Sequence, residues 1–273
     1  MRLINTETLL LESFPDLRRT PPYAVLSHTW GCDADEASLQ EMMVPSVLDS
    51  PTAAKPGFEK IRKTCQIALE TRGLKYAWVD TCCIDKTSSA ELSEAINSMF
   101  KWYQQAAICL AFLEDWEPEQ PAFDHCRWWR RGWTLQELIA PRDVLFFDKT
   151  WAKRGDLASL CEKISKVSRI KEDVLTKERT LSHVPVAVRM SWASHRETSR
   201  EEDIAYCLMG IFDINMAMLY GEGSKAFLRL QEEIIKTTPD VSLFAWVAKE
   251  NAGPAFMGIL ASSPAEFSHC SDI

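Results

Sequence analysis

The chain contains no run of about 18 apolar residues, the length that a membrane-spanning helix needs. Its first residues, MRLINTETLLLESF, carry an acid at Glu7 and lack the apolar core of a secretory signal. There is no C-x-x-C pair. The nine cysteines are an odd number, with Cys82 and Cys83 adjacent and Cys126 isolated. The five histidines, His28, His125, His183, His195 and His269, are scattered. These absences leave no zinc-ligand spacing and no disulfide framework. The expectation is free thiols in a reducing cytoplasm, no membrane and no metal. Phosphate-loop glycines are missing too. GEG at 221–223 fits neither the dinucleotide fingerprint nor the Walker pattern, and reads as a turn before a helix. Ser27 has no nucleophile elbow, which argues against a serine hydrolase. No internal repeat and no low-complexity segment occurs. Basic residues are the minority, 31 against 39 acidic, net −8. That balance argues against a nucleic-acid backbone as main partner; the basic residues near 60–63 and 127–131 are local patches.

What remains is ordinary for a globular chain, 46% apolar and 26% charged, with 273 residues for one large domain or two small ones. Ten tryptophans are the unusual feature, each adding a large apolar surface and an N–H to satisfy. PYAVLSHTW (22–30) reads as a buried strand broken at Gly31. Residues 32–56 read as a long loop with a short helix, SLQEM. In GFEKIRKTCQIALETRGLK, Phe58, Ile61, Cys65, Ala68 and Leu69 have helical spacing, and Gly73 sits where a C-cap glycine belongs. A second strand spans 76–80. Ser88 and Glu91 form a capping-box pattern for a helix over 89–105. A third strand covers 106–115, a helix roughly 128–139 is stopped by Pro141, and a fourth strand covers 143–148. Near-continuous apolar strands alternating with amphipathic helices indicate an α/β fold, with a parallel sheet flanked by helices.

After residue 150 the pattern is mainly helical. One or two helices follow Trp151. SREEDIAYCLMGIF shows a Ser199–Glu202 capping-box pattern, and GSKAFLRLQEEIIKTT is amphipathic. VSLFAWV reads as a short strand, and the last 25 residues as a loop or linker approach. The division expected is 1–150 for the α/β core, 151–240 for a helical extension, and 241–273 for a short strand and linker-like tail.

In open parallel sheets ligands gather outside the carboxyl ends of the strands. Those ends carry Ser27, His28, Thr29 and Trp30, then Asp80 to Cys83, then Glu114 to Trp116. The next segment, CRWWRRGWTLQELIAP (126–141), holds three tryptophans, three arginines and Glu137. Trp129, Trp133 and Glu137 are spaced i, i+4, i+8, on one face of a continuous helix. Two readings stand. The indoles pack on the sheet and Glu137 pairs with an arginine, or Glu137 lines an apolar pocket for a flat cationic ligand. His28 is a structural histidine or a base. Asp80 caps a loop or holds a ribose hydroxyl. Cys82 and Cys83 are buried thiols by default. Cys82, Arg189 and Arg196 are further candidates.

YAVLSHTWG, AWVDTCCIDK, WYQQAAICLAFLED, RGWTLQELIAP and RMSWASHRETSREEDIAYCLMGIFDINMAMLYGEG, in that order over about 22–236, resemble the fungal heterokaryon incompatibility (HET) domain. The resemblance implies a TIR-like, flavodoxin-like sheet and a role in cell death on non-self recognition. TIR enzymes cleave NAD at the nicotinamide–ribose bond with a glutamate on a helix after the third strand. GWTLQEL resembles their W-C-x-x-E-L pattern, which implies Glu137 as catalytic residue and Trp133 as the preceding aromatic. Ser27, His28, Trp30, Asp80 and Arg131 complete the implied substrate-binding set, with NAD or NADP as substrate rather than cofactor. The insert 32–56 and the region 150–240 have no TIR counterpart. The resemblance further implies a homo-oligomer on activation. The segment after 180 resembles members that precede nucleotide-binding and repeat domains, so the chain is expected to stand alone or to be the N-terminal module of such a receptor. Opposed to the NAD-cleaving reading are a non-enzymatic self-assembling module and a nucleotide sensor that does not cleave.

Overall fold

The structure is a computed structural model and describes residues 1–44, 46–117, 123–248 and 258–273. The chain splits into two compact units. The first comprises Met1–Phe123 with Pro141–Asp156, and the second Asp124–Ala140 with Leu157–Ile273. The tryptophan-rich segment thus groups with the later residues, whereas the sequence pattern set the boundary at 150.

The first unit is built on a seven-stranded sheet, β1 (Arg2–Asn5), β2 (Leu11–Ser13), β3 (Ala24–His28), β4 (Tyr76–Trp78), β5 (Ile108–Phe112), β6 (Val144–Phe147) and β7 (Lys153–Asp156). Its order is β2-β1-β4-β3-β5-β6-β7. The four strands expected from apolar runs are its parallel centre, β4-β3-β5-β6. Every residue of β3, β5 and β6 is buried, as in parallel strands covered on both faces. The first of these four strands lies between the second and the third, the flavodoxin-type order, so strand direction of travel reverses between β3 and β5. The outer strands β1, β2 and β7 pair antiparallel and were not legible as strands. With three or four residues each, they are too short to show a period.

The helix Pro56–Arg72 ends as expected, with Gly73 left-handed at φ 61° and its N–H returning to the Ala68 and Leu69 carbonyls. Its second residue, Gly57, meets a neighbouring loop closely. A Cβ there would stand 2.6 Å from Glu36 Cα and 2.7 Å from the Asp35 carbonyl oxygen. Gly57→Ala is therefore expected to destabilise the chain by about 1–3 kcal/mol, the usual range for overpacking; chemical denaturation measures it, and an unchanged midpoint would refute the close approach. The helix Ser89–Gln105 also falls where expected. Ser88 accepts the Glu91 N–H, but the Glu91 carboxylate turns to Arg2 and the Asp85 N–H, so the capping box is half formed. This helix anchors on the sheet through Trp102 and Tyr103, both edge-on to the fully buried Trp78. Tyr103 also donates to the Leu26 carbonyl in β3.

The second unit is mainly helical. Its longest helix, Lys225–Thr237, buries Ala226, Phe227, Leu230, Gln231 and Ile234. The capping box expected of Ser199 and Glu202 is not formed. Glu202 itself precedes the short helix Asp203–Tyr206, and its carboxylate accepts from Gly221 and Gly223 instead. VSLFAWV is not a strand. Asp240 accepts the Ser242 N–H and starts a single 3₁₀ turn, Val241–Phe244. Of the expected linker-like tail, residues 249–257 lie outside the described residues. Beyond them, Ala261, Phe267 and Cys270 are fully buried, and Gln231 exchanges two hydrogen bonds with the Ala261 backbone. Among the described residues no helix is long and apolar enough to cross a membrane.

Candidate functional site

The candidate residues form two clusters, one in each unit. In the first unit β3 delivers Ser27 and His28, both buried, in register with Ala111 and Phe112 of β5. The chain then leaves the sheet at the switch point through Thr29, Trp30 and Gly31. Asp80 does not end a strand; it opens the helical turn Asp80–Cys83. Its Oδ2 accepts from the Trp30 indole N–H at 2.9 Å, and its Oδ1 lies 3.9 Å from His28 Nδ1. On the other side of the ring, Glu36 Oε2 lies 3.8 Å from His28 Nε2. Both separations are too long for hydrogen bonds. The ammonium of Lys86 sits 3.7 Å from the Trp30 ring centroid, so one indole face already carries a cation.

Glu36 and Lys60 complete this cluster, and sequence reading had singled out neither. Glu36 sits in the irregular loop 32–56, where no periodicity marks it. Lys60 looked like part of a solvated basic patch, yet it is 7% exposed. Its Nζ reaches the Thr29 carbonyl at 3.0 Å, Glu36 Oε1 at 3.0 Å and Glu114 Oε2 at 3.4 Å. Burial would push the Glu36 carboxyl up. The His28 ring, the Gly31 N–H at 2.8 Å and Lys60 outweigh it and hold the group at about 2, below its ordinary 4.5.

A carboxyl held low in the folded state stabilises above its unfolded value, and that contribution is lost as pH falls through the folded one. The window for Glu36 is therefore pH 4.5 down to about 2, worth about 3 kcal/mol at its neutral-pH limit. Stability of the native chain is expected to fall more steeply across that window than stability of Glu36→Gln. Parallel slopes in acid denaturation curves would refute this.

Five buried polar atoms in this cluster have no hydrogen-bond partner: His28 Nε2, Thr29 Oγ1, Glu36 Oε2, Asp80 Oδ1 and Thr81 Oγ1. Each unpaired buried group costs about 1–3 kcal/mol, so a concentration of them in one place calls for a cause. Cys82, by contrast, fits a structural role. The neighbouring Cys83 thiol and complete burial push its own thiol well above the usual range, the reverse of an activated nucleophile.

In the second unit the expected helix over 128–139 is not continuous. Arg127–Arg130 is a 3₁₀ turn, Arg131 is extended, and the α-helix runs only from Thr134 to Ile139. Trp129 therefore does not share a helix face with Trp133 and Glu137. The physical reason is pairing with a distant segment. Arg131 bridges to Glu197, the Gly132 N–H donates to the Glu197 carbonyl at 2.8 Å, and the Glu197 N–H returns to Arg130 at 2.6 Å. A Cβ at Gly132 would come within 2.6 Å of Thr198 Cγ2 and 3.0 Å of Cys207 Sγ, so those side chains would have to shift. Trp128 and Trp129 are buried edge-to-face against each other, which is packing.

Glu137 is 5% exposed on the short helix. The buried Arg196 guanidinium secures the turn before it, donating to the Arg131 carbonyl at 2.8 Å and the Thr134 hydroxyl at 2.9 Å. Burial pushes Arg196 down to about 10, while Cys207 and Glu137 pull it back up. Trp133, at the helix N-cap, donates to Asp203 Oδ2 at 3.3 Å, and Asp203 Oδ1 accepts from the Tyr220 hydroxyl at 3.0 Å. Arg127 and Arg130 are exposed, Arg131 half-buried. The GEG turn is closed by the protein itself: Glu202 Oε1 takes the Gly221 and Gly223 N–H groups at 2.7 and 3.1 Å. Arg189 is likewise internal, donating to the Ile211 carbonyl and lying over the Phe212 ring.

The fold class is thus an α/β sheet of flavodoxin-type order accompanied by a helical unit. Residues 23–126 match the heterokaryon incompatibility protein (HET) family model, and residues 225–266 match a domain of unknown function, DUF8212. The vegetative incompatibility protein HET-E-1 of Podospora anserina is 46% identical over 229 residues, covering 80% of this chain and 16% of that protein. At that identity and coverage the chain belongs to the HET family. It spans 16% of the length of that relative. No solved structure matches it.

Proposed function

We propose that this chain is an effector module of heterokaryon incompatibility, and that it acts by hydrolysing NAD at the nicotinamide–ribose bond with Glu137 as catalytic residue. The observation that carries the reading is Glu137 itself, a carboxylate 5% exposed on the helix that follows β5 in the chain, within electrostatic reach of the buried Arg196 guanidinium. Breaking the C1′–N bond builds positive oxocarbenium character on the ribose. A carboxylate fixed in a dry setting stabilises that charge far better than water does. Nicotinamide leaves as a neutral molecule, so no general acid is required. Separately, the unpaired polar atoms at the switch point of the first unit lie where doubly wound sheets take nucleotides. The Trp30 ring carries the Lys86 ammonium there.

In this reading the chain works in the cytoplasm, self-associates on activation, and is coupled to a nucleotide-binding receptor domain. A non-enzymatic assembly module is the second reading. Exposed apolar residues of the second unit favour it, among them Val241 at 78% and Ile259 at 75% exposure. The deciding experiment incubates concentrated protein with NAD or NADP and measures free nicotinamide alongside the oligomeric state. Release that rises with self-association supports the hydrolase. Assembly without release at any concentration supports the module that does not cleave.

A further inference from the structure

We infer that Asp203 is a positioning residue of the Glu137 site: it fixes and polarises the Trp133 indole, so that the indole face takes a positively charged aromatic ring in preference to a neutral one. The inference rests on the reading above and adds the charge of the ring as a determinant of specificity, a pyridinium being held and its uncharged form not. The backbone is helical from Trp133 onward, with φ −61° and ψ −36° at Trp133 itself. Trp133 and Glu137, at i and i+4, therefore stand one turn apart on one face. The indole is half-buried. Its N–H donates to Asp203 Oδ2 at 3.3 Å, and the Tyr220 hydroxyl donates to the other carboxylate oxygen, Oδ1, at 3.0 Å. Asp203 is thus anchored at both oxygens and the indole by its polar edge, which leaves the face of the ring for a ligand.

The same pairing elsewhere in the chain shows what such a ring attracts. Trp30 donates to Asp80 and carries the Lys86 ammonium 3.7 Å from its centroid. Tyr220 donates to Asp203 and carries the Arg200 guanidinium at 4.4 Å. Trp133 makes the same kind of bond, but among the described residues no cation and no second ring lies against it. The physical cause is common to all three. A carboxylate at the donor edge adds negative charge beside a ring whose face is already negative, and the hydrogen bond polarises the ring further. Burial pushes the Asp203 carboxyl up, while the Tyr220 and Trp133 hydrogen bonds and the Arg200 charge pull it back. The Glu137 carboxylate attracts the same cation from one turn away, so the two acids need separate tests.

The test titrates the full chain with 1-methylnicotinamide, a cation, and with 3-methylbenzamide, its neutral isostere. It follows the Trp133 indole N–H resonance, assigned by its loss in Trp133→Phe. The native chain is expected to bind the cation about 5- to 30-fold more tightly, the range for a cation on a partly desolvated indole. Asp203→Asn keeps the volume and an acceptor oxygen but removes the charge. It is expected to cut that preference by about 3-fold or more, in the native and the Glu137→Gln backgrounds alike, and Asp203→Glu to restore part of it. An Asp203 that is merely structural weakens both probes equally and leaves their ratio unchanged, which overturns the inference. Equal affinity of the native chain for the two probes, or a Trp133 resonance that neither moves at millimolar probe, overturns it too. Where Asp203→Asn does not fold, Trp133→Phe keeps a ring but has no N–H for Asp203; its ratio is expected to fall, and an unchanged ratio overturns the inference. Neither probe has a ribosyl bond to break. Loss of nicotinamide release with the cation preference intact therefore counts against the cleavage reading alone.

Discussion

Glu137→Gln is expected to lower nicotinamide release from NAD by about 100- to 1000-fold or more, the usual loss when a fixed group facing developing charge is removed. Glutamine keeps the volume of the side chain and its place on the helix Thr134–Ile139. It loses the negative charge, the property the oxocarbenium-like transition state uses. Glu137→Ala is expected to lose as much activity but also to leave a cavity at a buried position, so the glutamine variant is the cleaner probe. Circular dichroism and a thermal melt establish that it is folded. Because binding of ground-state NAD draws on many other contacts, the loss is expected in kcat with KM little changed. A folded Glu137→Gln protein that still releases nicotinamide at the native rate would remove Glu137 from the chemistry.

Arg196→Met is expected to destabilise the chain by about 1–3 kcal/mol, the range for leaving a buried acceptor without its donor. Methionine fills a similar length with no charge. Three acceptors lose a donor: the Arg131 carbonyl, the Thr134 hydroxyl and the Trp192 carbonyl. Glu137 also loses a neighbouring positive charge in a site where little water screens it. Arg196→Lys is expected to recover only part of the loss, since a lysine cannot span acceptors with a planar fork. Denaturant titration of the three proteins measures the series. A shift under about 1 kcal/mol for the methionine variant, the scale of an ordinary exposed ion pair, would show that Arg196 does not hold the turn before Glu137.

The two expectations draw on different kinds of legibility. Glu137 stood out as the one acid among three tryptophans and three arginines, and the block around it resembles a known pattern. Arg196 was a candidate without a role. Two of its three partners lie 62 and 65 residues earlier, and nothing near it in the chain signals them. Glu36 was missed for the same reason. Its carboxylate meets Lys60, 24 residues on, through a loop whose path follows no period. Ser88 and Ser199 show the limit of local motifs: both begin the same pattern, but Arg2 and the Gly221–Gly223 turn draw the second carboxylate away.

By itself the sequence determined the alternation of four apolar strands with amphipathic helices, the ends of the helices at Gly73 and Ser88, and hence an α/β sheet. Those signals are short-range, carried by side-chain period and by backbone caps within a turn or two. Only the tertiary structure decided where the tryptophan-rich segment breaks. Its backbone bonds go to Glu197, so it forms a 3₁₀ turn and a short α-helix instead of one continuous helix. Tertiary structure likewise decided that His28 stands between two carboxylates, one from the loop at Glu36 and one from the helical turn at Asp80. Such contacts join residues far apart in the chain, where spacing carries no information and packing alone selects the partner.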